Sequence, residues 1–132
     1  LLDILITKLK KCKEISKIYI SSNSKKINNI SKKNKCFYLE RDLRYCNNVT
    51  SWSEVIFEVV NNIPENENTV LMWCHTTTPI FDSYKNAISI YKNKKFKNDG
   101  LISVEKYKRF LISEKKNLLI ILGEFGTHIL KI

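Results

Sequence analysis

The stretch NTVLMWCHTTTPIF, residues 68–81, decides the fold predicted for this chain. Its apolar run from Thr69 to Cys74 is bounded by polar residues, which predicts a strand buried on both faces of a sheet. A run of hydrogen-bonding side chains follows and ends at Pro79, which cannot continue a strand ladder. Ligands of open α/β sheets bind at the carboxyl ends of the strands. The residues predicted at that position are His75, Thr76, Thr77 and Thr78. Taken alone, the local pattern favours a threonine-rich turn that caps the next helix.

The rest of the chain alternates helical and strand patterns. Apolar residues at helical spacing predict helices at residues 1–12, 50–63 and 82–91, and a short helix around Ile27 and Ile30. Short β-branched or aromatic runs predict strands at residues 17–20, 36–39, 100–104, 108–112 and 118–122, the last two joined by a polar turn at 113–117. The alternation predicts an α/β fold with a mostly parallel sheet. Right-handed crossovers then place successive strand ends on one side.

The helix over residues 50–63 has the clearest local signals. Ser51 and Glu54 have the spacing of a capping box, and Pro64 closes the helix. Its buried stripe is predicted to consist of Val55, Ile56, Val59, Val60 and Ile63.

Length and charge limit the organisation and the partners. With 132 residues, 43% of them hydrophobic, the chain is predicted to form one domain over residues 1–132. Its formal net charge of +10 would attract polyanions, but arginine occurs only at Arg41, Arg44 and Arg109. Nucleic-acid binding would need the lysines to converge on one face with aromatics among them. They cluster instead at predicted helix ends and turns, so the charge is interpreted as solvated surface and nucleic acid is disfavoured as a partner.

The cysteines have no metal-ligand spacing; they are Cys12, Cys36, Cys46 and Cys74. Apolar surroundings predict free thiols at all but Cys46, which favours a reducing, cytoplasmic location. A catalytic cysteine stays an alternative, with His75 or His128 as its base. The sequence shows neither a membrane-spanning run nor a signal peptide, so no membrane partner is expected. The three glycines do not form a glycine-rich phosphate loop.

Several strings, in this order, resemble the acylneuraminate cytidylyltransferases, the CMP-sugar synthetases. They are IYISSNSKKI at residues 18–27, FYLERDLRYCNNVTS at 37–51, CHTTTPI at 74–80 and NDGLISV at 98–104, with GEFGTH at 123–128. No string is diagnostic alone; their order and spacing carry the resemblance.

The resemblance implies the Rossmann-like fold of nucleotide-diphospho-sugar transferases, a mostly parallel sheet with flanking helices in three α/β/α layers. It implies an enzyme that joins an acidic nine-carbon sugar of the sialic-acid type to CTP and releases pyrophosphate, with Mg²⁺ as cofactor and a homodimer as the full-length form. Such phosphoryl-type transfer depends mostly on positioning and charge neutralisation. By position, the implied nucleotide-binding residues are Ser21, Ser22, Asn23 and Arg41. The implied sugar-binding residues are His75, Thr77 and Thr78.

Two of these assignments have structural alternatives. Arg41 matches a family arginine near the nucleotide, and the alternative is a surface arginine paired with Glu40 or Asp42. His75 lies where the family usually has a glutamine that hydrogen-bonds the sugar, and the alternative is a histidine at a strand end bonded to the backbone. Histidine can donate or accept a hydrogen bond as glutamine does, but the sugar it selects is expected to differ.

The chain also departs from the family pattern. Ser22 and Asn23 follow the first strand where the family usually has an aspartate, and Asn47 and Asn48 lie where it commonly has another. The family's basic phosphate loop would precede Leu1, and its Mg²⁺-binding aspartates would follow the last residue. The expectation is therefore a partial domain with no metal ligands, no identified catalytic residue and little turnover alone. A catalytically inactive domain of the same fold, binding a nucleotide or a partner, is the alternative.

Overall fold

The structure is a computed structural model that describes residues 1–66, 69–78, 80–93, 100–101, 111–112 and 118–119. Helices and a parallel strand pair occur together, which confirms a mixed α/β chain. The chain forms two compact units, Leu1–Tyr84 and Lys85–Ile132. The assignment of residues 1–132 to one domain stays a prediction.

The first unit contains the predicted helices at nearly the predicted places. α1 is Leu2–Lys10, α2 is Lys25–Lys33 and α3 is Trp52–Asn61. A 3₁₀ helix, Leu43–Tyr45, lies in the loop before α3. α4, Tyr84–Asn93, begins in the first unit and continues into the second.

Two parallel strands form the sheet of the first unit. β1 is Tyr19–Ser22 and β2 is Phe37–Glu40, with Tyr19 opposite Phe37 and Ser22 opposite Glu40. Compared with the predicted strands at 17–20 and 36–39, β1 is shifted by two residues and β2 by one residue toward the carboxyl terminus. Because α2 connects two parallel strands, it runs antiparallel to both, so the amino ends of β1 and β2 share one edge with the end of α2. The carboxyl ends share the opposite edge.

The core of the first unit is built on α1. Leu5, Leu9 and Tyr84 form its buried cluster, and half-buried apolar residues pack against it: Cys12, Ile15, Ile18, Cys74 and Phe81. Lys8 Nζ donates to the carbonyls of Ile80, at 3.0 Å, and Phe81, at 3.4 Å. The segment that leads into α4 is therefore held against α1 by apolar packing and by these two bonds.

The prediction of a buried strand at residues 69–74 is wrong. The segment is irregular, and its apolar side chains are exposed, including Val70 at 55% and Leu71 at 46%. A strand needs a neighbour for its backbone groups, and residues 70–74 make no backbone hydrogen bond to other described residues. Only Cys74 packs against the core. An apolar run indicates what a sheet could bury without indicating that a sheet lies beside it.

α3 begins with the predicted capping box. Ser51 Oγ accepts from the backbone N–H of Glu54 at 3.3 Å, and Glu54 Oε2 accepts from the N–H of Ser51 at 2.9 Å. Val55 and Val59 are buried as predicted, whereas Val60 is exposed. The buried stripe is therefore narrower than predicted.

The second unit includes a short antiparallel strand pair, which lies within the two strands predicted at 108–112 and 118–122. β3 is Leu111–Ile112 and β4 is Leu118–Leu119, with Leu111 opposite Leu119. The predicted turn at 113–117 lies outside the described residues, as does most of the strand predicted at 100–104. In the part that the structure describes, no helix is long and apolar enough to cross a membrane.

Glu65 links the start of β1 to the segment that follows α3. Its Oε1 accepts from Lys17 Nζ at 2.6 Å and from Tyr19 Oη at 2.5 Å. These hydrogen bonds, the one from Lys17 above all, lower the pKa of the Glu65 carboxyl. The same contacts raise the pKa of Lys17 and of Tyr19.

Acid is expected to weaken this link. The pKa of Glu65 lies below its ordinary value of 4.5, so its stabilising contribution is present above that value and is lost as the pH falls through the lowered pKa. Glu65→Gln should lower the free energy of unfolding near neutral pH and flatten its decline in acid, measured by urea denaturation at a series of pH values. Glu14→Gln, at an exposed carboxylate, is the control. Identical acid dependence in wild type and Glu65→Gln would contradict the assignment.

Candidate functional site

The carboxyl ends of β1 and β2 bring Ser21, Ser22 and Arg41 together. The backbone N–H of Arg41 donates to the Ser22 carbonyl at 3.1 Å, which extends the strand pairing by one bond. The Arg41 side chain turns onto β1, where Nε donates to Ser21 Oγ and Nη2 to the Ser21 carbonyl, both at 3.2 Å. Strand register therefore fixes the guanidinium at the edge where ligands of parallel sheets bind.

Arg41 is not the ion-paired surface arginine of the alternative interpretation. Asp42 pairs with Arg44 instead, at 2.8 Å between Oδ2 and Nη2, and the hydrogen bonds from Arg44 lower the pKa of Asp42. No ion pair joins Arg41 to Glu40 or to any other carboxylate in the described ranges. The charge of Arg41 is therefore not neutralised by a described neighbour.

Ser22, the last residue of β1, and Asn23 form the turn that leads into α2. Ser22 Oγ accepts from the backbone N–H of Ser24 at 3.1 Å, just before α2, and the Ser22 carbonyl accepts from Tyr38 Oη at 2.5 Å. Asn23 is exposed. The Ser22 hydroxyl thus organises the start of α2 as well as lying at the candidate site.

An open groove of about 540 Å³ lies next to Arg41, within the size range of small-molecule sites. Acidic and basic side chains both line the groove, whose residues are Glu40, Arg41, Asp42, Leu43, Arg44, Tyr45, Glu58 and Asn62. Glu58, in the last turn of α3, and Asn62, directly after that helix, were not predicted to lie here. The four-residue spacing of Glu58 and Asn62 places them on one helix face but does not indicate that this face lies beside the loop after β2.

The loop that follows Arg41 is held by Asn47. Asn47 Oδ1 accepts from the N–H groups of Val49, at 2.7 Å, and Thr50, at 2.8 Å, while Nδ2 donates to the Arg44 carbonyl at 2.6 Å. A carboxylate could accept the first two bonds but could not donate the third. The amide at this departure from the family pattern therefore has a structural role.

His75 lies in an aromatic cluster that the sequence analysis missed. Its ring stacks on Trp52, with centroids 5.3 Å apart and planes at 22°, and Trp73 contacts Trp52 edge-on at 5.5 Å. Trp52 is the first residue of α3, so the capping box positions this ring. The pairing is between segments distant in sequence, which no local pattern could indicate.

The threonines after His75 form a turn, as the alternative to a ligand-binding strand end predicts. Thr78 donates to the His75 carbonyl from Oγ1 at 3.1 Å and from the backbone N–H at 3.3 Å. Thr76 and Thr77 are exposed within this turn, and Pro79 lies outside the described residues. His75 is not at the end of a strand, and its ring contacts Trp52 rather than the backbone.

The predicted site residues thus form two groups. One consists of Ser21, Ser22 and Arg41, with Asn23 exposed beside them, and the other of His75, Thr77 and Thr78 with Trp52. No hydrogen bond or ring contact among the described residues joins the two groups. Whether they form one site stays a prediction.

The thiols and the candidate site residues that the structure describes do not favour a catalytic cysteine or a bound metal. All four cysteines are free, and burial raises the pKa of the Cys74 thiol to about 11 and that of Cys36 above its ordinary value. Thiols of this kind are poor nucleophiles at neutral pH. No cluster of three or more histidine, cysteine or carboxylate side chains occurs in the described part of the chain. The hydroxyls of Ser21 and Ser22 are not the ligands that Mg²⁺ prefers. The carboxylates of Glu40, Asp42 and Glu58 line the groove but do not form such a cluster.

Comparison with known proteins finds no matching family model and no matching curated protein. The resemblance to acylneuraminate cytidylyltransferases therefore rests on this chain's own strings alone.

Proposed function

We propose that this chain carries the nucleotide-binding core of a CMP-sugar synthetase, which activates an acidic nine-carbon sugar of the sialic-acid type with CTP and releases pyrophosphate. The observation that carries the proposal is the contact of Arg41 with Ser21 at the carboxyl ends of two parallel strands. The two residues belong to separate strings, 18–27 and 37–51, and the resemblance assigns both to the nucleotide. A three-layer Rossmann-like sheet is the fold proposed to complete this strand pair.

Arg41 is proposed to bind a phosphate of CTP. A guanidinium has five N–H donors, and Arg41 uses Nε and one N–H of Nη2 on Ser21. Its remaining donors can form charge-assisted hydrogen bonds to phosphate oxygens. Since Ser21 holds one edge of the guanidinium, less side-chain freedom is lost when a phosphate binds.

The sugar is proposed to bind near His75. The imidazole can donate to the sugar's carboxylate or hydroxyl groups, and Thr77 and Thr78 supply further hydroxyls. Trp52 supports the ring of His75 from one side, which fixes its orientation. In the related family Mg²⁺ neutralises charge at the α-phosphate, and the residues described here are assigned only binding and orientation.

A second candidate is a catalytically inactive domain of the same fold that binds a nucleotide or a partner. The specific observation in its favour is at Ser22, where the family usually has an aspartate after the strand and where the hydroxyl instead accepts from Ser24. Incubating the chain with CTP, Mg²⁺ and an acidic nine-carbon sugar tests the two candidates in one direction. CMP-sugar formation would exclude the inactive domain, whereas nucleotide binding without product is expected of this partial domain under either candidate. A strand and a basic glycine-containing loop encoded in frame before Leu1 would favour the enzyme over the inactive domain.

Arg41→Ala is expected to weaken CTP binding about tenfold or more, because a charge-assisted contact to phosphate is lost. Isothermal titration calorimetry with CTP, CMP and ATP measures the effect and the base preference. The charge control is Lys32→Ala, which removes one positive charge from an exposed side chain at the end of α2, away from the groove. Equal weakening by both variants, or none by Arg41→Ala, would refute a specific role for Arg41.

His75→Ala should weaken binding of the sugar and leave the affinity for CMP unchanged.

A further inference from the structure

The end of α2 lies at the edge opposite the candidate nucleotide site and is bonded to side chains of α1. Lys10 Nζ donates to the carbonyl of Asn34, the residue that caps the end of α2. Asn34 Nδ2 in turn donates to Asp3 Oδ1 at 2.8 Å. Asp3 lies in the first turn of α1 and Lys10 in its last, so these side-chain bonds hold the end of α2 alongside α1.

The connections that leave these two helices also meet. The N–H of Phe37 donates to the Ile18 carbonyl at 2.9 Å, which joins the amino end of β2 to the start of β1. Lys35 has a left-handed backbone with φ of 51°, and the following N–H, of Cys36, donates to the Ser31 carbonyl at 2.9 Å. This is the Schellman pattern of a helix end, and it fixes where Lys35 leaves α2.

Six exposed lysines lie on these helix ends and connections. We call them the basic edge: Lys10, Lys11, Lys13, Lys32, Lys33 and Lys35. They come from two separate segments, residues 10–13 and 32–35. Lysines were predicted to cluster at helix ends and turns without converging on one face. The crossover through α2 places the end of α2 at the amino edge of the two strands, and the connection from α1 reaches the same edge at the start of β1.

The charge of the basic edge is not compensated by described carboxylates. The ion pairs in the described ranges are Lys17 with Glu65 and Arg44 with Asp42, so none involves these six lysines. Asp3 accepts from Asn34, and Glu14 is the other exposed carboxylate nearby in sequence. Helix dipoles favour cations in a last turn by less than about 1 kcal/mol each, which does not require six of them. The excess of positive charge at the basic edge therefore favours the binding of an extended anion.

An exposed aromatic ring accompanies the basic edge. Phe37, two residues after Lys35, is 52% exposed, and its ring stacks on Tyr19 with centroids 5.0 Å apart. Lysines that contact a backbone next to an aromatic ring on which a base stacks are the combination by which proteins bind single-stranded nucleic acid.

We propose that the basic edge binds single-stranded nucleic acid, with its lysines on the phosphates and Phe37 stacked on a base. The edge lies opposite Ser21 and Arg41, so this site is separate from the proposed CTP site. Stacking distinguishes a single strand from a duplex, whose bases are already paired and stacked, and from an anionic membrane, which offers no bases.

The test is fluorescence anisotropy with a labelled oligothymidine of about 15 nucleotides at several salt concentrations. Lys32→Gln/Lys33→Gln is compared with Lys25→Gln/Lys26→Gln, which removes the same charge from the other end of α2. For a single strand each lost phosphate contact lowers the slope of log K against log salt by about 0.7, so a decrease of about 1.4 is expected in the first variant alone. CTP binding should be unchanged in it.

Phe37→Leu tests the stacking and keeps an apolar side chain on β2. About tenfold weaker binding at every salt concentration, with an unchanged slope, is the expected result. Equal slopes in the two lysine variants would overturn the proposal, because charge anywhere on α2 would then suffice. Duplex DNA or anionic vesicles binding as tightly as the single strand, unaffected affinity in Phe37→Leu, or no binding would also overturn it.

Discussion

Ile6→Ala is expected to destabilise the protein by about 2–5 kcal/mol. Ile6 is 1% exposed on α1, so truncation to alanine removes buried apolar contacts and leaves a cavity. α1 carries the buried cluster of the first unit and also contacts the end of α2, so the loss is expected to affect the whole unit. Urea denaturation followed by circular dichroism measures it as a lower midpoint.

Ile4→Ala is the matched control, since it makes the same change on the same helix at a side chain that is 52% exposed. Exposed substitutions usually change stability by less than about 0.5 kcal/mol. A loss at Ile4 equal to that at Ile6 would mean that helix propensity, or a partner covering Ile4, decides the effect instead of the core. A loss at Ile6 below about 1 kcal/mol would contradict its burial.

The helices were predictable because their signals are local. The capping box of Ser51 and Glu54 spans three residues, and the apolar spacing of α1 directly identifies Leu5 and Leu9 as buried. The first and last residues of the strands were harder to predict, because hydrogen bonding to the neighbouring strand decides where a strand begins and ends. Ser21 and Ser22 are polar and yet belong to β1, since their neighbours Leu39 and Glu40 on β2 continue the ladder.

The contacts of the candidate site residues could not be predicted from the sequence, and their role in binding stays a prediction. The resemblance selected Arg41 and Ser21 from separate strings, whereas their hydrogen bonds depend on strand register. The partner of Asp42 could not be chosen from sequence, where Arg41 and Arg44 are both close enough. The stacking of His75 on Trp52 depends on how α3 meets a segment more than twenty residues later. Such distant pairs leave no periodic signal.

The error at residues 69–74 has a different cause. Hydrophobicity in a short run measures the gain available from burial, but burial also requires backbone partners on neighbouring strands. The same limit explains the lysines, whose grouping at the basic edge follows from the crossover and not from their spacing in sequence. Topology, rather than composition, decided both outcomes.

Tyr84→Ala is expected to destabilise the first unit by about 3–5 kcal/mol. Tyr84 is 5% exposed and lies in the buried cluster with Leu5 and Leu9. Its ring also contacts Phe81 edge-on at 4.8 Å, a geometry worth about 0.5–1.5 kcal/mol beyond burial. Truncation removes both contributions at the point where the chain enters α4.

Tyr84→Phe separates the ring from the hydroxyl. It keeps the packing and the contact with Phe81, so its cost should be below about 1.5 kcal/mol, the usual limit for a single hydrogen bond. Urea denaturation compares the two variants. A loss in Tyr84→Phe as large as in Tyr84→Ala would mean that the hydroxyl, and not the ring, holds this part of the core.

A second measurement tests the same packing independently of global stability. Cys74 packs against the cluster that contains Tyr84, and burial raises the pKa of its thiol to about 11. A cavity at position 84 admits water, which favours the thiolate and should accelerate the reaction of Cys74 with a disulfide reagent. The rate is measured without denaturant in a Cys12→Ala/Cys36→Ala/Cys46→Ser background, because these three cysteines are also free thiols and would react with the reagent. An unchanged rate in Tyr84→Ala would show that Tyr84 does not shield the thiol, and the stability loss would then need another origin.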